Sequence, residues 1–350
     1  MTTVEGRALN QYPVVSVLMP IRNEARYIER SLGAVLAQDY PQGRLEVLVL
    51  DGMSTDGTRE IVGRVASGVT NVRLVDNPLG IVSTALNCGL RESRGEIVLL
   101  VGGHCEIARD YVRQCVSCLA ETQSACVGGP IQTIGESHAA STIALAVSSP
   151  FGVGNAHFRT STFEGYVDTV AFGAYRREVF EQIGLFDEEL VRNQDDEFNF
   201  RLSQSGGRIF MSPAIKSVYF SRASLRGLWK QYFQYGFWKV RLIQKRGGIP
   251  SWRLAVAPCF VLGLILSLLV AAVTQNAWWA LVVLGPYLAS NVVSSLSIAM
   301  RHGWAYLPLL PVAFCTIHLS YGSGFWVGIG RFSFKTHSSA SAPSLQNERN

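Results

Sequence analysis

Two apolar runs with a helical stretch between them decide the fold of this chain: VVSVLMPIRNE at residues 14–24 and LEVLVLDGMSTDGT at residues 45–58. Each run is rich in aliphatic residues and ends in polar ones, which is typical of a buried strand followed by a loop. The helical stretch, Tyr27 to Leu36, completes a strand–helix–strand unit. A crossover helix returns the chain in the same direction, so we expect two parallel strands of an α/β domain.

The loops after these two strands are expected to form a ligand site. On open parallel sheets, ligands bind beyond the carboxyl ends of the strands, where Pro20 to Glu24 and Asp51 to Asp56 both emerge. No Gly-x-Gly-x-x-Gly turn follows the first strand, which argues against a dinucleotide cofactor. Asp51 is placed to accept hydrogen bonds from a base or a ribose. Residues 54–56 also suit a second role, capping the helix that we expect from Arg59 to Val65.

Together, these two motifs resemble the start of family 2 glycosyltransferases. Those enzymes begin with an apolar strand and Pro-x-(Tyr/Arg)-Asn-Glu, followed by a strand that ends in Asp-x-x-Ser-x-Asp-Gly-Thr. The resemblance implies an α/β GT-A fold, a Rossmann-like mixed sheet that binds a nucleotide sugar, with no organic cofactor. Asn87 matches the family's Asn-x-Gly helix, although a polar position on a helix surface is an alternative. The donor-binding residues implied are Pro20, Arg22, Asn23, Glu24, Asp51, Asp56, Asn87 and His104.

The strand predicted at Glu96 to Val101 ends in an unusual sequence, Gly102-Gly103-His104. The family carries a metal-binding Asp-x-Asp here, and its exopolysaccharide branch carries Asp-x-His, so Gly102 replaces the first carboxylate. A divalent cation on a sugar diphosphate takes oxygen ligands, and a lone imidazole suits Mn²⁺ better than Mg²⁺. We therefore expect weak or no use of Mn²⁺ or Mg²⁺. His104 is then a metal ligand, a direct contact for phosphate, or an ordinary loop histidine.

A later acidic run supplies the expected catalytic base. The segments 152–155, 167–178 and 184–189 resemble the succinoglycan-type branch of the family, and 192–198 matches its Glu-Asp-x-(Asp/Glu)-(Leu/Phe) motif with Gln194 in place of Glu. An acceptor hydroxyl needs a positioned carboxylate to take its proton. The resemblance places that base on Asp195. Negative charge at a helix N-terminus, here before 198–204, is an alternative reason for the acidity. The acceptor-binding residues implied are Asp168, Thr169, Gly173 and Asp196.

The charge of the chain changes sign near Glu197. Up to that residue there are 25 acidic and 16 basic residues, and beyond it there are 15 basic residues and a single acidic one, Glu348. Nucleic-acid binding is excluded by the apolar content of the basic part, because three stretches there lack acidic residues and are long enough to cross a bilayer. They are Leu254–Val273, Trp278–Met300 and Ala305–Ile329. The third carries prolines, glycines and His318, and partial re-entry is an alternative for it. The N-terminus has no features of a secretory signal.

The segment before the first apolar stretch is basic and aromatic. Its spacing predicts a helix with one aromatic face and one polar face, which is typical of a helix in the membrane surface. The aromatic face is formed by 229, 233, 237 and 240, and the polar face by 230, 234, 241 and 245. The cations also place the N-terminal domain on the cytoplasmic side. The alternative is a helix that docks its cations on the acidic domain. In a cytoplasmic domain the seven cysteines stay reduced, and a zinc site at Cys115 and Cys118 lacks a second pair.

We therefore expect an N-terminal extension at 1–13, a GT-A domain at 14–220, basic aromatic interfacial helices at 221–252, two to three transmembrane helices at 253–330 and a polar tail at 331–350. The expected function is that of a multi-pass inner-membrane, inverting glycosyltransferase. It would move a sugar from a UDP-sugar to a polyprenyl-diphosphate-linked glycan in exopolysaccharide assembly.

Two alternatives remain open at this point. A processive polysaccharide synthase would need more spans and a Gln-x-x-Arg-Trp motif, and the nearest segment, Gln231 to Gly236, lacks both Arg and Trp. A degenerate, non-catalytic assembly subunit is favoured by Gly102. The retained Asp51 and Asp195 argue against it.

Overall fold

A computed structural model describes residues 11–154, 156–160, 163–248 and 252–333. Most of the predicted extension at 1–13 and of the tail at 331–350 lies outside the described residues. The strands are β1 Val15–Ile21, β2 Leu45–Asp51, β3 Val72–Asp76, β4 Ile97–Leu100, β5 Cys105–Ile107, β6 Cys126–Gly129, β7 Ile131–Ile134, β8 Gly165–Tyr166, β9 Ala171–Arg176, β10 Ile209–Met211 and β11 Ser217–Phe220.

The helices of the first two thirds of the chain are short. They are α1 Ile28–Leu36, α2 Thr58–Val65, α3 Val82–Glu92, α4 Tyr111–Thr122, α5 His138–Val147, α6 Pro150–Val153, α7 His157–Thr160, α8 Arg177–Ile183 and α9 Gln194–Gln204. Four long helices follow: α10 Leu225–Arg246, α11 Arg253–Thr274, α12 Trp278–His302 and α13 Leu310–Ser333. Single 3₁₀ turns lie at Gln42–Arg44 and Trp304–Tyr306.

One mixed sheet forms the centre of the domain, in the order β3-β2-β1-β4-β9-β6-β10-β8. The first four strands are parallel, whereas β9 runs antiparallel to both β4 and β6. The parallel pairing predicted for the first two strands is therefore confirmed. Its register sets Ile21 beside Asp51, so both loops expected to bind a ligand leave the sheet at one edge.

The central sheet is covered on both faces. Alternate residues of β1 point to opposite sides, with Val17 and Met19 in one buried cluster and Leu18 in the other. Cys115 on α4 is buried in the first cluster and packs there as an apolar residue. A second, three-stranded sheet in the order β5-β11-β7 lies beyond the end of β4. Its register sets Tyr219 on β11 opposite Cys105, the residue after His104.

The helix α10 packs along α13 at backbone distance. A Cβ atom on Gly236 would lie 2.0 Å from the carbonyl oxygen of Tyr321, and one on Gly324 would lie 2.1 Å from that of Phe233. Only glycine fits at such contacts. Phe237 of α10 also packs against Phe332 of α13, with ring centroids 5.0 Å apart, so its ring faces protein there.

Three helices are long and apolar enough to cross a membrane, as judged by length and composition: α11, α12 and α13. They differ in burial, since 11% of the most apolar window is buried in α11 and in α12 but 39% in α13. The difference arises because α13 also packs against the domain, where Phe314 and Ile317 join Ile143 of α5 in a buried cluster. Of the third apolar stretch, which sequence left ambiguous, residues 310–329 lie in the continuous helix α13 and residues 305–309 form the turn before it.

The glycine contact gives a test of this packing. We expect Gly236→Ala to destabilise the protein by about 1–3 kcal/mol, because the added methyl must push α10 away from α13. The measurement is the melting temperature of the purified protein in detergent. The control is Gly330→Ala on α13, where an added Cβ would meet no atom within 4 Å. Equal melting temperatures for the two variants would contradict the tight packing.

Candidate active site

The two loops at the sheet edge are joined by hydrogen bonds from backbone N–H groups to side-chain oxygens. Asn23 donates its backbone N–H to Ser54 Oγ at 2.8 Å, and its side-chain Oδ1 accepts from the N–H of Thr55 at 2.9 Å. Glu24 donates its N–H to Thr58 Oγ1 at 2.8 Å. Asn23 has a left-handed backbone, with φ of 53°, a conformation that asparagine tolerates better than most residues. The motifs that carry the family resemblance therefore build one rigid surface.

Asp51 lies beneath this surface and is fully buried. One carboxylate oxygen accepts from Ser54 Oγ at 2.5 Å and the other from Arg59 Nη1 at 2.7 Å. The same Arg59 nitrogen donates to Asp76 at 2.7 Å. Asp51 thus holds the loop from below, and a base or ribose would reach it only by displacing one of these partners.

Three of the predicted donor residues are exposed on the rim of this surface: Arg22, Asn23 and Asp56. Asp56 accepts from Thr58 Oγ1 at 2.5 Å and from the backbone N–H of Ala25 at 3.1 Å. Burial by itself would raise the pKa of Asp56, but these hydrogen bonds outweigh it and hold the pKa below its ordinary value. Pro20 is the half-buried sixth residue of β1.

Asn87, predicted to bind the donor, makes its hydrogen bonds within the protein. It is buried on α3, where its Nδ2 donates to the carbonyl oxygen of Phe186 at 2.9 Å and to Glu188 Oε1 at 2.8 Å. Its Oδ1 accepts from the N–H of Phe186 at 2.9 Å. Both polar atoms of the amide are hydrogen-bonded, so Asn87 holds the segment that precedes the acidic run. A direct contact between Asn87 and the donor stays a prediction.

His104 is bound on both sides. Its Nδ1 lies 2.8 Å from Glu24 Oε1 and its Nε2 lies 3.1 Å from the Tyr219 hydroxyl. Tyr219 was missed from the sequence, because only the pairing of β11 with β5 brings it to this place. The imidazole therefore links the donor loop to the second sheet, and neither ring nitrogen faces open space.

A divalent metal does not fit these side chains as they stand. Across the described ranges, no three His, Cys, Asp or Glu residues lie close enough together to hold a metal ion. At the end of β4 the candidate ligands are Glu24 and His104, which are already bonded to each other. A carboxylate at Gly102 would have room, since a Cβ atom there would meet the Phe172 ring at 3.5 Å, an ordinary contact.

The predicted base and its neighbour have opposite environments. Asp195 begins α9 with its side chain exposed. Protein atoms nevertheless surround the carboxylate, and this desolvation, followed by the charge of Asp196, raises the pKa of Asp195 above its ordinary value. Asp196 is held by Lys239 Nζ at 2.5 Å and by Arg246 Nη2 at 3.1 Å. Burial opposes ionisation of Asp196, but these two cations outweigh it and lower its pKa.

The structure brings some predicted acceptor residues to this region and not others. Thr169 accepts from Asn199 Nδ2 at 2.9 Å, which ties the exposed Asp168 and its loop to α9 one turn after Asp195. The Asp196 carboxylate is already used in ion pairs. Gly173 is buried within β9, where a Cβ atom would lie 2.8 Å from the Tyr175 ring. Gly173 therefore allows close packing in the sheet.

The cations of α10 dock on the acidic segment before the base. Arg241 Nε lies 2.6 Å from Glu189, and Lys245 Nζ lies 2.5 Å from Asp187. The bonds from Arg241 and Lys245 lower the pKa of Glu189 to about 2. Arg241 and Lys245 of α10 therefore dock on the acidic domain, as the alternative to a membrane-surface position predicted. On α10, Trp229 is 42% exposed and Lys230 is exposed, so both remain open to a membrane surface.

Known proteins resemble the chain through this whole region. Residues 16–184 match the family described as "Glycosyl transferase family 2". The succinoglycan biosynthesis protein ExoA of Rhizobium meliloti is 31% identical over 316 residues, covering 89% of this chain and 93% of that protein. The chain belongs to glycosyltransferase family 2.

Two further likenesses bear on this glycosyltransferase. A "dolichyl N-acetyl-alpha-D-glucosaminyl phosphate 3-beta-D-2,3-diacetamido-2,3-dideoxy-beta-D-glucuronosyltransferase" of Methanococcus voltae is 26% identical, covering 92% of this chain and 99% of that protein. The mannosyltransferase PcManGT of Pyrobaculum calidifontis, solved in complex with GDP-Man and Mn²⁺, superposes with a TM-score of 0.58 at 22% identity over 91% of this chain and 88% of its own. The predicted GT-A fold is thereby confirmed.

The missing carboxylate at Gly102 gives a prediction about metal. We expect EDTA to reduce sugar transfer by the natural enzyme only modestly, whereas Gly102→Asp should make transfer depend on added Mn²⁺ or Mg²⁺, because it adds a carboxylate two residues before His104, where the family carries one. Activity is measured across a metal titration. Gly102→Ala is the control, since it adds the Cβ without the charge. Complete loss of natural activity in EDTA, restored by micromolar metal, would contradict the prediction.

The Asp196 ion pair gives a second prediction. Replacing Lys239 by Gln should lower kcat by roughly tenfold, because the change loosens the start of α9. The KM for the donor should stay unchanged, because the donor loops lie elsewhere. Lys239 also lowers the pKa of Asp195. The acid limb of the pH profile should therefore move to higher pH. The control is Lys230→Gln on the exposed face of α10, and identical profiles for the two variants would count against the coupling.

Proposed function

We propose that this glycosyltransferase moves a sugar from a UDP-sugar to a polyprenyl-diphosphate-linked glycan, with inversion at the anomeric carbon, at the cytoplasmic face of the bacterial inner membrane. One observation carries the proposal. Of the two adjacent carboxylates at the start of α9, Asp196 is neutralised by Lys239 and Arg246 whereas Asp195 is exposed with a raised pKa. Paired groups in different environments take different roles, and the unpaired one is suited to accept a proton.

The reaction needs a single displacement. Asp195 takes the proton from the acceptor hydroxyl as that oxygen bonds to the anomeric carbon. The bond from the anomeric carbon to the diphosphate oxygen breaks on the opposite face, and the nucleoside diphosphate leaves with both electrons. Donors of the protein stabilise its charge. The donor nucleotide lies against the exposed rim formed by Arg22, Asn23 and Asp56, and the glycan approaches past Asp168.

A lipid-linked acceptor is supported by the way the apolar helices attach. The helix α10 holds the acidic segment next to Asp195 and packs along α13, so the candidate membrane helices adjoin the base rather than the far side of the domain. The name of the Methanococcus voltae relative describes a lipid-phosphate-linked substrate, and the name of ExoA describes succinoglycan biosynthesis. Lys245 and Arg246 precede α11 and Arg253 is its first residue, and this distribution of positive charge favours a cytoplasmic domain.

The assembly-subunit alternative is favoured by one observation, the absence of a carboxylate at Gly102. A panel of nucleotide sugars offered to membranes that contain the full-length protein and lipid-linked acceptors would decide between the two. We expect labelled sugar from a UDP-sugar in the lipid extract. No transfer with any donor or metal would favour the subunit.

The role of the base can be tested directly. Asp195→Asn should lower sugar transfer by a factor on the order of 10² or more, because the amide keeps the shape but takes no proton. Donor affinity should stay within about twofold, since Asp195 faces the acceptor. The control is Glu60→Gln, an exposed position on α2. Near-natural turnover by Asp195→Asn would contradict the assignment.

The natural enzyme should also lose activity on acidification. The base must be ionised, and burial together with Asp196 raises the pKa of Asp195 above 3.8, so kcat should fall as the pH decreases through that raised value. Tyr175, a further titratable group close to Asp195, stays neutral because burial raises its pKa. The acid limb should be absent from the residual rate of Asp195→Asn.

A further inference from the structure

A small pocket lies between the second sheet, α5 and α10, apart from the donor loops. Its polar lining comes from Arg159, Tyr219, Ser221, Arg222 and Gln231. The space between these side chains is about that of one water molecule, which is also the space that one phosphate oxygen needs. The rest of a phosphate group would lie at the mouth of the pocket.

Two cations converge on this pocket. The guanidinium carbon of Arg159 lies 5.3 Å from the ring centroid of Tyr219, and Arg222 Nε donates to Gln231 Oε1 at 3.3 Å. Burial raises the pKa of the Tyr219 phenol, and both arginines are close enough to oppose that rise. Within the part of the chain that the structure describes, no carboxylate pairs with either arginine. Two like charges near one buried ring are stabilised when an anion lies between them.

The pocket lies between the donor edge and the base. The Tyr219 hydroxyl is bonded to His104, which follows β4 and is bonded in turn to Glu24 of the donor loop. On the other side, Gln231 Nε2 donates to the Tyr235 hydroxyl at 2.9 Å, and the carbonyl oxygen of Tyr235 accepts from Asn193, two residues before Asp195. An anion held here would therefore lie beside the reaction and on the α10 side of it.

We propose that Arg159 and Arg222 bind a diphosphate group of a substrate. The inference rests on the proposed function, whose donor and lipid-linked acceptor both carry a diphosphate. Guanidinium groups bind phosphate oxygens through paired, charge-assisted hydrogen bonds, and a diphosphate has enough oxygens for two of them. These arginines also supply positive charge at a place where the described residues do not form a metal site.

The test measures binding rather than turnover. Full-length protein in detergent is titrated separately with farnesyl diphosphate, a soluble prenyl diphosphate, and with UDP. We expect Arg159→Gln and Arg222→Gln to weaken the binding of one of these ligands by at least about tenfold, and Arg159→Lys to restore part of it by returning the charge. The control is Arg226→Gln, which removes an exposed arginine of α10. Melting curves of all variants report whether they fold.

The two ligands separate the possible sources of the diphosphate. Weaker binding of farnesyl diphosphate alone assigns the pocket to the acceptor lipid, and weaker binding of UDP alone assigns it to the donor. Natural affinity for both ligands in folded variants would overturn the proposal, as would natural protein that binds neither. Either result would leave the proposed function intact if membranes still transfer sugar and Asp195→Asn abolishes the transfer. If a Gln variant fails to fold, the affinity of Arg159→Lys for both ligands is compared with that of natural protein. A single ammonium does not replace the paired hydrogen bonds of a guanidinium, so a weaker affinity supports the proposal and an unchanged affinity for both ligands overturns it.

Discussion

The rest of this structure depends on the ion pairs of Asp196. A carboxylate that is largely withdrawn from water needs a partner, and Asp196 has two, Lys239 and Arg246, both nearly buried on α10. Arg246 also donates to the backbone carbonyl oxygen of Asp196, which fixes the main chain at the start of α9. Since α10 in turn contacts α13 at backbone distance, the proposed base, Asp195, and the helix α13 belong to one packed unit.

This arrangement explains why two adjacent carboxylates differ. The ion pairs with Lys239 and Arg246 make Asp196 a structural anchor, whereas desolvation, and then the charge of Asp196, raise the pKa of Asp195. A base with a raised pKa accepts a proton more readily while it stays ionised near neutral pH. The ion pairs therefore set the position of Asp195, and its surroundings set its basicity. A glycan brought in along the membrane helices would meet this carboxylate directly.

The loops of the proposed donor site are held in place by bonds within the protein. The polar atoms of Asp51 are hydrogen-bonded to Ser54 and Arg59. Those of Asn87 are hydrogen-bonded to the segment at Phe186. His104 likewise joins Glu24 to Tyr219. Motif residues of this kind shape a rigid edge, and rigidity matters because donors that are already oriented stabilise developing charge without reorganising. With no carboxylate at Gly102, positive charge from arginines near Tyr219 offers the leaving diphosphate another form of neutralisation.

The sequence by itself determined the parallel βαβ start, the ends of β1 and β2 at the ligand edge, the acidic start of α9 and the positions of the three apolar helices. Those features depend on residues close together in the chain, where periodicity and motif spacing act. The tertiary structure alone decided which side chains meet. His104 and Tyr219 are 115 positions apart, and Asp196 and Lys239 are 43 apart. From the sequence alone, the cations of α10 could therefore bind either lipid or the acidic domain. Sheet order, strand register and helix packing settle such pairs, because they fix the distances over which hydrogen bonds and ion pairs act.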